Sequence, residues 1–239
     1  MPLTISDRLA GLNLGLGLGS EPATTGEQAL GRVLIEELAR PDFDLGRVVA
    51  RWGKDLDRPP ECPVVAQSLA HLARTGAPPD EGAFGPGLGA AVVTMAGASR
   101  LFQTPRNLVS GVYHLARLLD PHPIGAYAAV AAGVAAGRFL GGKRDFIPAV
   151  LDVLLANEGP DRLIAEVRRA PVWVRTAPAA PPDGAGLAPE TELGVVFWAL
   201  HHLGSGPRVL TALTAVGPSA RTIGRALLGA RDGRAALAG

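Results

Sequence analysis

The stretch IGAYAAVAAGVAAG, Ile124 to Gly137, decides the fold of this 239-residue chain. Apart from Ile124 and Tyr127, its side chains are all Ala, Gly or Val. A helix built from such small residues lets neighbouring helices approach it closely on every side. Its 14 residues are too few to cross a bilayer. We therefore predict a buried helix at the centre of the protein.

The segments around this stretch repeat apolar residues every three or four positions, which is the period of an α-helix. The clearest stripe is Leu45, Val48, Val49, Trp52 and Leu56, with Asp44 placed to cap its start. Four further stripes have the same spacing: Leu30, Val33, Leu34 and Leu38; Leu108, Val112, Leu115 and Leu119; Ile147, Val150, Leu151 and Leu154; and Leu193, Val196, Phe197 and Leu200. Strand alternation bounded by turn residues is hard to find. The sequence predicts an all-α fold.

A Pro/Gly-rich stretch at residues 177–189, APAAPPDGAGLAP, is the longest interruption between predicted helices. The piece that follows it is short for a core of its own, so we predict a surface loop within a single domain spanning residues 1–239. Trp52 and Trp198 lie on apolar stripes and are expected in the core. Trp173, beside the loop, is a candidate interface residue.

Charge and cysteine content limit the classes of partner. Twenty-three basic and 22 acidic side chains leave a net charge of +1 without a run of like charges, which argues against nucleic acid and membrane partners. The N-terminal residues do not read as a signal peptide. The single Cys62 permits neither an internal disulfide nor a cysteine-based metal cluster. We expect a cytoplasmic protein, and the sequence leaves its oligomeric state open.

Two motifs carry candidate chemistry. Gly85 to Ala90 fits a dinucleotide-binding spacing, but no strand precedes it, so a loop leading into a helix is predicted. Asp120 and His122 alternate with prolines immediately before the small-residue helix, and a phosphate could bind at that helix start. The alternative is that Asp120 caps the turn. The histidines show no spacing typical of a metal site.

The order of these pieces resembles the ADP-ribosylglycohydrolases, a family of all-α enzymes that remove ADP-ribose with two magnesium ions. Arg8, Gly11, Gly15 and Gly19 are similar to the family's opening glycine-spaced helix. Residues 119–123, LDPHP, followed by the small-residue helix, look like the family's T-H-P-H-P segment and core helix. Residues 216–224, VGPSARTIG, resemble its closing G-G-D-A-D-T-I-G pattern. The resemblance implies a compact orthogonal helical bundle around a small-residue central helix.

The departures from the family pattern concern the metal ligands. The family's T-D-D-T motif falls on Thr24, Thr25, Gly26 and Glu27, and its D-A-D-T motif falls on residues 219–222, SART. None of the four aspartates is present, and Arg221 places a fixed positive charge where the resemblance implies a cation. Two magnesium ions need several carboxylates to offset their charge. We therefore expect no metal cofactor.

Three functional hypotheses follow from the resemblance and its departures. The first is a catalytically inactive member of the family that binds an ADP-ribose-like or other phosphorylated ligand, with these candidate residues: Thr24, Thr25, Asp120, His122, Ser219, Arg221 and Thr222. The second is an active hydrolase with a rebuilt, metal-independent site that uses Glu21 or Glu27 as general base, assisted by His122 or Asp120. The third is a structural or protein-interaction module.

Overall fold

Helices account for all the regular structure in the computed structural model, which describes residues 3–18, 25–54, 58–172 and 187–238. No strand occurs in these ranges, so the all-α prediction is confirmed. The helices are α1 (Ile5–Gly15), α2 (Gly26–Leu38), α3 (Leu45–Lys54), α4 (Pro63–Thr75), α5 (Gly89–Leu101), α6 (Pro105–Leu119), α7 (Pro123–Leu140), α8 (Phe146–Ala156), α9 (Asp161–Arg169), α10 (Pro189–His202), α11 (Gly206–Ala212) and α12 (Pro218–Asp232). Short 3-10 turns follow at Leu213–Ala215 and Arg234–Leu237.

The small-residue helix is α7, and it lies at the centre as predicted. It packs most extensively against α5, α6, α8 and α12. Its 18 residues extend beyond the predicted stretch at both ends, and in the described chain it is the one helix long and apolar enough to span a bilayer. Because 78% of that segment is buried inside the protein, α7 has the surroundings of a core helix.

The predicted glycine-spaced helix is α1, which packs backbone to backbone on α12. A Cβ atom added to Gly11 would lie 2.2 Å from the carbonyl oxygen of Gly229, and one added to Gly15 would lie 2.5 Å from the Cα of Ala226. Arg8 donates a hydrogen bond to the carbonyl oxygen of Arg231 at 2.7 Å and so caps the end of α12. The two helices therefore run antiparallel.

The helix α3 forms where the clearest stripe predicted it. Asp44 accepts a hydrogen bond from the backbone N–H of Gly46 at 2.7 Å. The indole of Trp52 is buried and donates to the carbonyl oxygen of Leu30 at 3.1 Å. Trp198 is also buried, as predicted. Leu56 and Trp173 lie outside the described residues, as does residue 19.

The predicted loop at residues 177–189 falls mostly outside the described residues, and its last residue, Pro189, begins α10. On either side of this gap, the buried side chains belong to one contiguous core that extends from Leu12 to Leu237. The rings of Phe139, Phe146 and Phe197 join α7, α8 and α10 within this core, with centroids 5.0 and 5.2 Å apart.

Candidate functional site

The start of α2 carries Thr25 and Glu27, two of the predicted site residues. Thr25 is the N-cap, and it exchanges hydrogen bonds with Gln28. The Glu27 side chain is buried, and its two carboxylate oxygens accept the backbone N–H groups of Glu61 at 3.1 Å and Cys62 at 2.7 Å. Because Cys62 is the N-cap of α4, Glu27 satisfies the free backbone donors at the start of that helix.

Asp120 performs the same task in front of α7. Its buried carboxylate accepts the backbone N–H of Gly87 at 2.8 Å and that of His122 at 3.0 Å. Burial raises the pKa of Asp120 to about 6, while the two backbone donors and the Arg117 guanidinium pull it down. The carboxylate lies against Gly125, where a Cβ atom would be 1.8 Å from its oxygen. Asp120 therefore caps the turn and also ties it to the loop before α5.

His122 is the N-cap of α7. Its Nδ1 accepts the backbone N–H of Ile124 at 3.1 Å, so the ring's free nitrogen is Nε2. The loop at Gly85 to Leu88 leads into α5 as predicted, and it is this loop that Asp120 holds.

Cys62 connects the two carboxylates. Its side chain lies against Gly87 and Gly89, where added Cβ atoms would come within 2.9 and 2.4 Å of it. Glu27, Cys62, Gly87 and Asp120 thus bring together the starts of α2, α4, α5 and α7, and we refer to these four residues as the helix-start junction.

The start of α12 carries the other predicted residues, Ser219, Arg221 and Thr222. Arg221 is exposed, and its guanidinium donates to the carbonyl oxygen of Val216 at 3.2 Å. Ser219 and Thr222 are partly buried. An anion at this helix start could accept hydrogen bonds from the two hydroxyls, the guanidinium and the free backbone N–H groups.

Glu192 of α10 is a site residue that the sequence did not indicate. Its carboxylate accepts the backbone N–H of Gly217 at 2.7 Å, immediately before α12. Burial raises the pKa of Glu192, and the Gly217 bond opposes this shift. An acidic residue in the first turn of α10 was visible in the sequence, but its partner lies 25 residues further along the chain.

The end of α1 contacts the first turn of α2 and the middle of α12. Gly17 packs against the Gln28 side chain, and Gly15 packs against Ala226. Glu21 and Thr24 lie outside the described residues.

The fold of this chain also occurs in a solved structure. A solved structure described as "ADP-ribosylglycohydrolase-related protein complex" matches with a TM-score of 0.71 and 22% identity, over 98% of this chain and 90% of that chain. At this identity the likeness shows the fold alone.

The sequence also identifies the family. A family model described as ADP-ribosylglycohydrolase matches residues 21–238, and the chain belongs to this family. No curated protein matches the chain.

The resemblance assigns Thr25, Gly26, Ser219 and Arg221 to the family's four aspartate positions. The Thr25 hydroxyl is committed to its N-cap bond, and Gly26 has no side chain and packs against the backbone of Pro59 and Pro60. Hard divalent cations require oxygen ligands, chiefly carboxylates, so this set does not fit the family's magnesium ions. Within residues 3–18, 25–54, 58–172 and 187–238, no three His, Cys, Asp or Glu side chains are grouped as metal ligands.

Proposed function

We propose that this chain is a non-catalytic member of the ADP-ribosylglycohydrolase family. The observation that carries the proposal is the helix-start junction, in which the carboxylates of Glu27 and Asp120 hold backbone N–H groups. Glu27 binds Glu61 and Cys62, and Asp120 binds Gly87 and His122. Carboxylates at helix starts stabilise those starts, and each oxygen of Glu27 and Asp120 already accepts one backbone N–H. With no carboxylate at the four aspartate positions, the proposal includes the loss of the magnesium site.

The competing hypothesis is hydrolysis at a rebuilt, metal-independent site with Glu27 as the general base. A general base must reach the proton that it abstracts. Glu27 is 4% exposed and accepts two backbone hydrogen bonds, so it would first have to abandon the start of α4. Among the described candidates for catalysis, His122 has one ring nitrogen, Nε2, that makes no described hydrogen bond.

Release of ADP-ribose from an ADP-ribosylated protein distinguishes the two hypotheses. We expect no release above the uncatalysed rate, with magnesium or with EDTA. Release by the wild-type chain that is lost in both Glu27→Gln and His122→Ala, with both variants folded by circular dichroism, would establish the rebuilt hydrolase. Glu21→Gln extends the test to the candidate base outside the described residues.

We also propose that the start of α12 retains binding of an ADP-ribose-like or phosphorylated ligand. Support comes from the exposed Arg221 guanidinium in the first turn of α12, a helix start that also carries the hydroxyls of Ser219 and Thr222. Calorimetry with ADP-ribose, ADP and inorganic phosphate tests it. Arg221→Ala should abolish the heat of binding, whereas Arg225→Ala, an exposed arginine one turn further along α12, should preserve it. Absence of heat and of a thermal shift in the wild-type protein would end this part of the proposal.

We propose that the protein is located in the cytoplasm. Its support is the single cysteine, Cys62, a buried free thiol that needs no oxidising compartment.

A further inference from the structure

A groove runs along α7 between α6 and α8. Two cavities of about 550 and 440 Å³ form it, and they share Pro105, Val109 and Val153 in their walls. Both α6 and α8 pack on α7, so α7 is the floor of the groove. None of its lining residues belongs to the helix-start junction or to the first turns of α12.

The floor of the groove extends along α7 from Tyr127 to Gly141. At 1.5 Å per residue, this distance is roughly 21 Å, the length of a helix of about 14 residues. Tyr127, Val130, Val134 and Gly137 line the floor at intervals of three and four residues. Val130 and Val134 are only 1% and 8% exposed, so the floor is largely covered already and the accessible apolar surface belongs to the walls.

The walls have the same helical spacing. Val109 and Tyr113 of α6 face the groove on one side, and Ala149 and Val153 of α8 face it on the other. All four side chains are only partly buried, so they leave apolar surface exposed. The two walls therefore offer the apolar faces of two helices to one occupant.

Both walls run antiparallel to the floor. Gly137 near the end of α7 lies beside Leu108 near the start of α6, where an added Cβ would be 3.2 Å from the leucine side chain. Tyr127 near the start of α7 donates a hydrogen bond to the carbonyl oxygen of Asn157 at the end of α8. The starts of α6 and α8, with their positive dipole ends, therefore lie at the same end of the groove.

That end of the groove is also positively charged. Among the lining residues, the charged side chains are Arg106, Arg138 and Lys143, and no carboxylate lines the groove in the described chain. Arg138 is paired with Asp145 at 2.6 Å. Arg106 and Lys143 make no ion pair with any described residue. Lys143 lies close enough to Asp145 to help lower the pKa of that carboxyl, so the groove combines apolar walls with a basic end that Asp145 offsets only in part.

We propose that this groove docks an amphipathic helix of a partner protein, with acidic residues in the carboxyl-terminal half of that helix. The length of the groove, the two helical faces of its walls and its basic end carry the proposal. The negative dipole end of the guest and its acidic residues would meet Arg106 and Lys143, so the guest would run antiparallel to α6 and α8.

Two designed peptides of identical composition test the proposal. Each has 14 residues with leucines at helical spacing, and the glutamates lie in the carboxyl-terminal half of one and in the amino-terminal half of the other. Glutamates near the amino terminus favour helix formation in the free peptide, so intrinsic helicity favours the second peptide. We expect the first peptide to bind the full chain roughly tenfold more tightly in fluorescence anisotropy, because its glutamates meet the basic end.

A matched pair of variants locates the binding. Arg106 is the second residue of α6, and Arg162 is the exposed second residue of α9, away from the groove. Arg106→Glu should weaken binding of the first peptide roughly tenfold, and Arg162→Glu should change it by less than about twofold. Glutamate is favourable in a first helical turn, so both variants should fold.

Three results would overturn the proposal. In the first, the two peptides bind equally or not at all. In the second, sedimentation shows a dimer of this chain that Arg106→Glu dissociates, which would make the occupant a second copy. In the third, dodecanoate binds in the groove and neither peptide does, which would make the groove a lipid site.

Discussion

Asp120 is a buried carboxylate whose environment disfavours its charge. Since burial raises its pKa from 3.8 to about 6, the folded chain holds this proton between those values while the unfolded chain has lost it. The contribution of Asp120 to stability is therefore fully present below about pH 4, is lost as the pH rises to about 6, and is then constant.

Asp120→Asn isolates this dependence because the amide does not titrate. The unfolding free energy of the wild type minus that of the variant should fall by about 2–3 kcal/mol between about pH 4 and pH 6. Urea denaturation across this range measures the difference. If this free-energy difference stays constant or rises with pH, the pKa of Asp120 is not raised in the folded protein.

Glu27 should act through the start of α4. Glu27→Ala leaves the buried N–H of Cys62 without its acceptor, so we expect a loss of about 1–3 kcal/mol in urea denaturation. Glu36→Ala is the control on the same helix. Glu36 is 60% exposed and pairs with Arg51 at the surface, so its loss should be below about 1 kcal/mol. Equal effects of the two substitutions would contradict the role assigned to Glu27.

The sequence could predict the role of a residue whose partner lies close to it in the chain. It could not predict a role that depends on a partner brought close by the fold. The cap by Asp44 was predicted because its partner, Gly46, lies two residues away. Asp120 was expected either at a phosphate site or as a turn cap, and its bond to His122 fits the cap. Its bond to Gly87 joins residues 33 apart, and only the packing of α5 on α7 brings them together.

Between elements, a close approach of backbone to backbone at a glycine occurs where α1 crosses α12. An added Cβ on Gly11 would lie 2.2 Å from the Gly229 carbonyl oxygen, and backbone cannot rotate away as a side chain can. We expect Gly11→Ala to reduce the unfolding free energy by about 1–3 kcal/mol or more. Gly53→Ala is the matched control, because it is exposed in α3 with nothing within 4 Å of the added Cβ. That control should be neutral or stabilising by up to about 1 kcal/mol, and a Gly11→Ala variant that behaved likewise would contradict the close crossing.

The helices themselves were predictable, whereas their lateral spacing was not. Apolar stripes and the small-residue stretch specify which faces are buried, and the described residues of each predicted stripe lie in a helix. The separation of α6 from α8 depends on how both pack on α7. In the sequence, Val109 and Val153 are simply apolar residues next to members of the predicted stripes. Only the structure shows that they face a groove.

At the scale of the whole molecule, the chain keeps the family's fold with no carboxylate at the positions that the resemblance assigns to its four aspartates. Metal binding stabilises a folded chain only when the folded state offers ligands. Here the starts of α2, α4, α5 and α7 are joined by Glu27 and Asp120 through backbone hydrogen bonds. The junction therefore provides, within the chain, contacts that need no bound ion.

The melting temperature of the whole protein should consequently be independent of magnesium. A cation that binds only the folded state, present at a hundred times its dissociation constant, would add about 2.7 kcal/mol and raise the melting temperature by several degrees. We expect a shift within about 1 °C between millimolar MgCl₂ and EDTA in calorimetry, with NaCl at matched ionic strength as the control for screening. A rise of several degrees specific to magnesium would show that the chain holds the ion with other ligands. Repeating the scan with Arg221→Ala would then show whether the start of α12 takes part.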